Sequence, residues 1–187
     1  MSQLEQDLAF VRSVVEDSRK ALRVDAWPLL VWGLLSVFGV VLAYLAPVVD
    51  SIWLWLVIVG LAWILTGARV LTSGRRHPAN LSERALSMLW FGLLTAMTVI
   101  GFVGTFTQSL PPAAITPSVA ALFGAGYLAS AVLLDWRVLK WFALAWWAGS
   151  ITLFLLLAPV RLAVFGGLLL VLLVVPVIIL MRSSRTQ

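Results

Sequence analysis

The chain has 187 residues, of which 62% are hydrophobic and 11% are charged, and its net charge is +5. A soluble domain is about 45–50% apolar and about 25% charged, so this composition excludes an ordinary water-soluble protein. Because the apolar residues form long blocks with the charges grouped between them, we interpret the chain as an all-α, polytopic integral membrane protein. Its first partner is then the lipid bilayer, and we expect no nucleic-acid partner.

Residues 1–26 are predicted to form a cytoplasmic amphipathic helix ahead of the first membrane span. This segment mixes five acids with four bases, whereas a helix that lies on anionic lipid is rich in Lys and Arg. Three interpretations follow: a helix at the membrane interface that packs on its own bundle, a helix that docks to another membrane or cytoplasmic protein or self-associates, and, with least support, a lipid sensor. The predicted docking stripe recurs at helical spacing and consists of Leu4, Leu8, Val11, Val15 and Leu22.

Six apolar blocks follow, each close to the roughly 20 residues that cross a hydrocarbon core of about 30 Å. They predict a six-helix transmembrane bundle over residues 27–181, followed by a cytoplasmic tail over 182–187. The breaks between the blocks contain proline, glycine and charged residues that end helices. The predicted spans are about 27–45, 52–71, 85–106, 115–134, 138–157 and 162–181.

Lysine and arginine predict the orientation of the spans. With six spans, twelve of the 13 basic residues fall on one side of the membrane and only Arg161 on the other. The positive-inside rule then puts both termini in the cytoplasm, with the bundle in the plasma membrane. The first, third and fifth spans also share Trp- and Gly-containing strings, which come either from an old repeat of three hairpins or from chance.

Catalytic chemistry has little support in this sequence. The chain has no cysteine and a single histidine, His77, which excludes disulfides, thiolate metal sites and sites with two imidazoles. The centres of the predicted spans carry no charged residue, although charges inside membranes usually mark functional sites. We therefore expect no enzymatic activity, no cofactor and no metal site.

Polar and aromatic residues inside the spans allow two interpretations each. Ser87, Thr98 and Thr105 fall on one face of the third span, where they either line a narrow polar path or hydrogen-bond within the bundle. Five tryptophans lie deep in the spans and either surround a flat, lipophilic ligand or fill the core. These are Trp32, Trp63, Trp90, Trp146 and Trp147.

Small residues and proline shape the last spans. In the fourth span Ala121, Gly124, Ala125 and Ala129 form a predicted face for helix packing or for an oligomer, because small side chains let backbones approach. Pro176 in the sixth span has no N–H, so it frees the carbonyl one turn earlier and is expected to bend the helix.

These features favour a small non-catalytic membrane protein that acts through protein contacts, as an accessory, regulatory or assembly subunit. The alternative function is a small channel or carrier for a neutral or lipophilic solute. Its path would follow the hydroxyl face of the third span, and Pro176 would permit movement.

Overall fold

The structure is a computed structural model, and it describes residues 27–45, 52–72 and 81–177. Throughout these ranges the regular structure is helical. The sixth span contains a wider π-helical stretch directly after its first α-helical part. The helices are α1 (Trp27–Leu45), α2 (Ile52–Thr72), α3 (Leu81–Phe106), α4 (Pro112–Leu133), α5 (Val138–Leu155) and α6 (Ala158–Leu168), which continues as a π-helix over Leu169–Val174.

Six helices in the described ranges are long and apolar enough to cross a membrane. The sixth of these runs over Val160–Val177 and is called span six below. The predicted all-α fold, with six helices long and apolar enough to span a membrane, is confirmed for the described residues. The helices α3, α4 and α6 each begin a few residues before the predicted bounds of 85, 115 and 162. The predicted amphipathic helix, the tail and the last residues of the sixth span lie outside the described residues.

The spans form a closed ring. Each span packs against its neighbours in the chain, and α1 also packs against span six. The most extensive contact joins α4 and α5, while α2 and α3 touch only sparsely. The ring closes through glycines, since a Cβ atom at Gly166 would lie 2.7 Å from Val40, and one at Gly33 would lie 3.0 Å from Val174.

The buried core includes residues of all six spans, and its most fully buried large apolar side chains lie on α5 and span six. Trp146, Leu153, Leu169 and Leu173 are the largest apolar side chains with exposures below 2%. Lipid tails are as apolar as these side chains, so helix association in a membrane depends on close van der Waals packing and hydrogen bonds. The α4–α5 pair, which has the most extensive contact, is therefore the most closely packed part of the bundle.

The turn between α4 and α5 is a Schellman motif. Asp135 adopts φ 47°, its N–H donates to the Val132 carbonyl at 3.3 Å, and the Trp136 N–H donates to the Ala131 carbonyl at 3.0 Å. These two bonds satisfy carbonyls that have no partner within the helix. The short turn explains why α4 and α5 lie side by side along much of their length.

The side chain of Arg161 stabilises the turn between α5 and span six. The Nε atom of Arg161 donates to the carbonyls of Leu153 at 3.0 Å and Leu156 at 3.1 Å. These carbonyls belong to the negative end of the helix dipole, which a guanidinium stabilises. Arg161 therefore has a structural role at this turn.

Candidate functional site

The small residues of α4 divide between two surfaces. Gly124 faces α5, where a Cβ atom would lie 2.4 Å from Nε1 of Trp147. The carbonyl of Ala121 accepts a hydrogen bond from that same Nε1 at 3.1 Å. Ala125 is exposed and Ala129 is half-buried. Of the predicted packing face, Ala121 and Gly124 thus contact α5, while Ala125 and Ala129 line the outside of the bundle.

On that outer surface lies an apolar groove between α3 and α4, here called the α3–α4 groove. It is a shallow, open depression with a volume of about 550 Å³. The two alanines of α4 leave space that larger side chains would fill. Its lining includes Ala85 and Leu89 of α3, Ala125, Ala129 and Val132 of α4, and Trp147 of α5.

The groove extends over only part of the bundle's height. Along α4 its lining runs from Ala125 to Leu133, which is about 12 Å at 1.5 Å per residue. Trp147 lies near the middle of α5, which spans Val138–Leu155. The groove therefore runs from mid-membrane depth to one end of the bundle.

Exposed charges surround that end. Arg84 directly precedes the lining residue Ala85, and Arg137 and Lys140 follow the last turn of α4; all three cations are exposed. Asp135 is an exposed acid in the same turn, and the side chain of Glu83 lies outside the described part. The described rim of the groove thus has three cations and one acid.

The three hydroxyls that were predicted to share one face of α3 differ in their surroundings. Ser87 is exposed on the outside of the bundle. The hydroxyl of Thr98 donates to the Leu94 carbonyl at 2.8 Å and accepts from Nε1 of Trp63 at 3.1 Å. Thr105 donates to the carbonyl of Gly101. Two of the three hydroxyls are therefore engaged within the bundle.

Tryptophan–hydroxyl hydrogen bonds join the first four spans in succession. In each bond the indole Nε1 of one span donates to a hydroxyl of the next span at 3.1 Å. The pairs are Trp32 with Thr66, Trp63 with Thr98, and Trp90 with Ser130. The sequence contains no signal for these pairs, because Trp, Ser and Thr occur on most spans and only helix register decides which ones meet.

The deep aromatic residues fill the interior by packing against one another. Trp32 meets Trp63 edge to face at 5.3 Å between ring centroids, and Trp146 stacks on Phe123 at 4.7 Å. Such contacts add about 0.5–1.5 kcal/mol beyond area burial. Trp147, by contrast, lines the α3–α4 groove. The five deep tryptophans therefore do not enclose a common space.

The carbonyl freed by Pro176 has an unexpected partner. Position 172 is one helical turn before the proline, and the Tyr127 hydroxyl of α4 donates to the Leu172 carbonyl at 2.7 Å. Around this carbonyl, Leu169–Val174 adopts π-helical geometry. Span six thus has π-helical geometry ahead of Pro176, and the Leu172 carbonyl is satisfied from α4. The predicted bend of the helix stays a prediction.

Comparison with family models, curated proteins and solved structures finds no match to this chain. Its function is therefore inferred from its sequence and its geometry. Among the described residues no group of three His, Cys, Asp or Glu side chains is placed to hold a metal ion. The predicted docking stripe, Leu4 to Leu22, lies outside the described residues.

Proposed function

We propose that this chain is a non-catalytic integral membrane protein that acts through contacts with other proteins, as an accessory, regulatory or assembly subunit. The proposal rests on the hydrogen bonds that join polar side chains of neighbouring spans inside the bundle. One indole in each of the first three spans donates to a hydroxyl of the next span, so that three successive interfaces are joined. Two other buried polar atoms, the Thr116 hydroxyl and Nε1 of Trp146, have no hydrogen-bond partner among the described residues. A bundle of this kind is suited to hold a fixed shape, and its outer surfaces are then available for recognition.

The same hydrogen bonds count against a solute path along α3. Thr98 is the central residue of the proposed path, and its hydroxyl has both a donor and an acceptor partner in the bundle. A solute that used this hydroxyl would compete with the Leu94 carbonyl for its only proton. The contact function therefore has more support than the channel or carrier function.

The N-terminal segment is the proposed docking element. Its acids and bases nearly balance, so attraction to anionic lipid contributes little, whereas its apolar stripe matches a protein groove or another helix. It precedes Trp27, the first residue of α1. A partner bound there would be held close to the membrane surface.

Replacing Leu8 and Val15 together with aspartate is expected to release a protein partner, because two charges would then face an apolar contact. Native mass spectrometry of the protein extracted gently from its own membrane measures this as loss of the partner's mass. Gln6→Asp with Ser13→Asp is the matched control, since it adds the same charge on the opposite helical face. Equal complex mass for both double variants and the unchanged chain would contradict the proposal.

We further propose that the bundle lies in the plasma membrane with both termini in the cytoplasm. Four of the five described cations lie at one end of the bundle, and only Arg161 lies at the other. The first residue of α1 lies at this end as well, because the Cζ atom of Arg69 is 5.8 Å from the ring centroid of Trp27. This distribution is typical of a cytoplasmic surface.

The orientation is testable because the chain has no cysteine. Ser109 is exposed between α3 and α4, at the end opposite Arg84. Ser109→Cys is expected to react with a membrane-impermeant maleimide in intact cells, and Ser184→Cys in the tail only after lysis. The reverse labelling pattern would invert the proposed topology.

A further inference from the structure

We propose that the α3–α4 groove binds an acyl chain of an anionic phospholipid, with the phosphate headgroup at Arg84, Arg137 and Lys140. This binding site is separate from the proposed N-terminal docking element and does not depend on it. The groove supplies an apolar surface for the chain, and its rim supplies the cations.

The length of the groove favours an acyl chain over a transmembrane helix. Its α4 side, from Ala125 to Leu133, covers about 12 Å. One leaflet contributes about half of the roughly 30 Å hydrocarbon core, so the groove matches one leaflet. A helix that crosses the membrane would need a groove of twice this length.

The floor of the groove is suited to hydrocarbon. Trp147 lines it, and the only polar atom of that side chain, Nε1, already donates to the Ala121 carbonyl at 3.1 Å. Ala125 and Ala129 contribute methyl groups that leave depth beside α3. A ligand with polar groups along its length would find no partner on these side chains, whereas an acyl chain needs none.

The cations at the rim of the groove favour an anionic headgroup. Arg84 lies on α3 beside Ala85, and Arg137 and Lys140 lie at the start of α5. The cations thus lie on two of the helices that line the groove, at the end where the groove opens. Asp135 opposes them with a single negative charge. Basic sites between membrane helices bind anionic headgroups, and a zwitterionic lipid would lose this attraction through its own cationic group.

The test uses the purified full chain equilibrated with equal amounts of phosphatidylglycerol and phosphatidylcholine of identical acyl chains. Native mass spectrometry then counts the retained lipids of each kind. We expect the unchanged chain to retain phosphatidylglycerol at least tenfold over phosphatidylcholine. Replacing Arg84 and Arg137 with glutamine is expected to reduce this preference at least fivefold, since each surface cation is worth roughly a fivefold change in lipid affinity.

A large side chain placed in the groove tests whether the groove binds the acyl chain of the lipid. Ala129→Phe is expected to abolish retention of the lipid, while Ala148→Phe, at an exposed alanine of α5 outside the groove lining, leaves it unchanged. Arg182→Gln with Arg185→Gln, in the C-terminal tail, is the control for loss of two cations. The glutamine substitutions are at exposed residues and so test the headgroup site even if Ala129→Phe does not fold.

Three results would overturn the proposal. One is equal retention of the two lipids by the unchanged chain. Another is an equal loss of lipid in Ala148→Phe and Ala129→Phe. The third is a homodimer without bound lipid that Ala129→Phe converts to a monomer, because a second copy would then occupy the groove.

Discussion

Replacing Gly124 with leucine is expected to destabilise the bundle more than any other single substitution considered for α4. A Cβ atom at this position would lie 2.4 Å from Nε1 and Cδ1 of Trp147 and 3.0 Å from its Cε2. The indole would have to move, and its hydrogen bond to the Ala121 carbonyl would be lost. Overpacking of this kind costs about 1–3 kcal/mol and occasionally more, to which the interhelical bond adds roughly 0.6 kcal/mol.

The measurement is the midpoint of SDS-induced unfolding in mixed micelles, followed by far-UV circular dichroism. Gly92→Leu is the matched control, because Gly92 is exposed on α3 and a Cβ atom there would meet nothing within 4 Å. We expect the control to unfold at nearly the original SDS fraction. If Gly124→Leu matched Gly92→Leu, the close contact between α4 and α5 would be wrong.

Removing the hydroxyl of Tyr127 is expected to have the second-largest effect. Tyr127→Phe keeps the ring, which stacks on Phe142 at 5.8 Å between centroids, but it removes the donor to the Leu172 carbonyl. The N–H that would serve this carbonyl in an α-helix is missing, because residue 176 is proline. An acceptor buried without a partner costs about 1–3 kcal/mol. Leu172 is half-buried, so we expect a loss of stability up to this size and a lower unfolding midpoint.

A double-mutant cycle with Pro176→Ala tests the physical reason. Alanine restores an N–H one turn after Leu172, so the carbonyl regains an α-helical partner and loses its need for Tyr127. We expect Tyr127→Phe to cost less than about 0.5 kcal/mol in that background, which would reveal a coupling between positions 127 and 176. Tyr44→Phe on the exposed side of α1 is the control for a hydroxyl that faces outward. Equal costs with and without Pro176 would show that another donor serves Leu172.

The number, type and approximate bounds of the spans were accessible from the sequence. Membrane crossing depends on local composition, since about 20 consecutive apolar residues span the hydrocarbon core whatever surrounds them. The six predicted blocks accordingly match six described helices. The special position of Pro176 was also readable, because a missing N–H is a property of the residue itself.

Which residues meet across helices could not be read from the chain. The alanines and glycines of α4 form one small-residue face in the sequence, yet Gly124 contacts Trp147 of α5 and Ala129 lines an outer groove. In the same way, nothing in the pattern pairs Trp63 with Thr98 or Tyr127 with Leu172. These contacts depend on the rotation and register of one helix against another.

The α3–α4 groove likewise depends on how the helices pack against one another. Its apolar walls come from two spans that are joined by a short loop, and its basic rim combines Arg84 with Arg137 and Lys140, more than 50 positions later in the chain. The insertion of each span is decided by its own hydrophobicity, whereas the groove exists only where packed helices leave space between small side chains. Local composition therefore accounts for the membrane bundle, and the surfaces that the bundle offers to lipid and to other proteins arise from long-range packing.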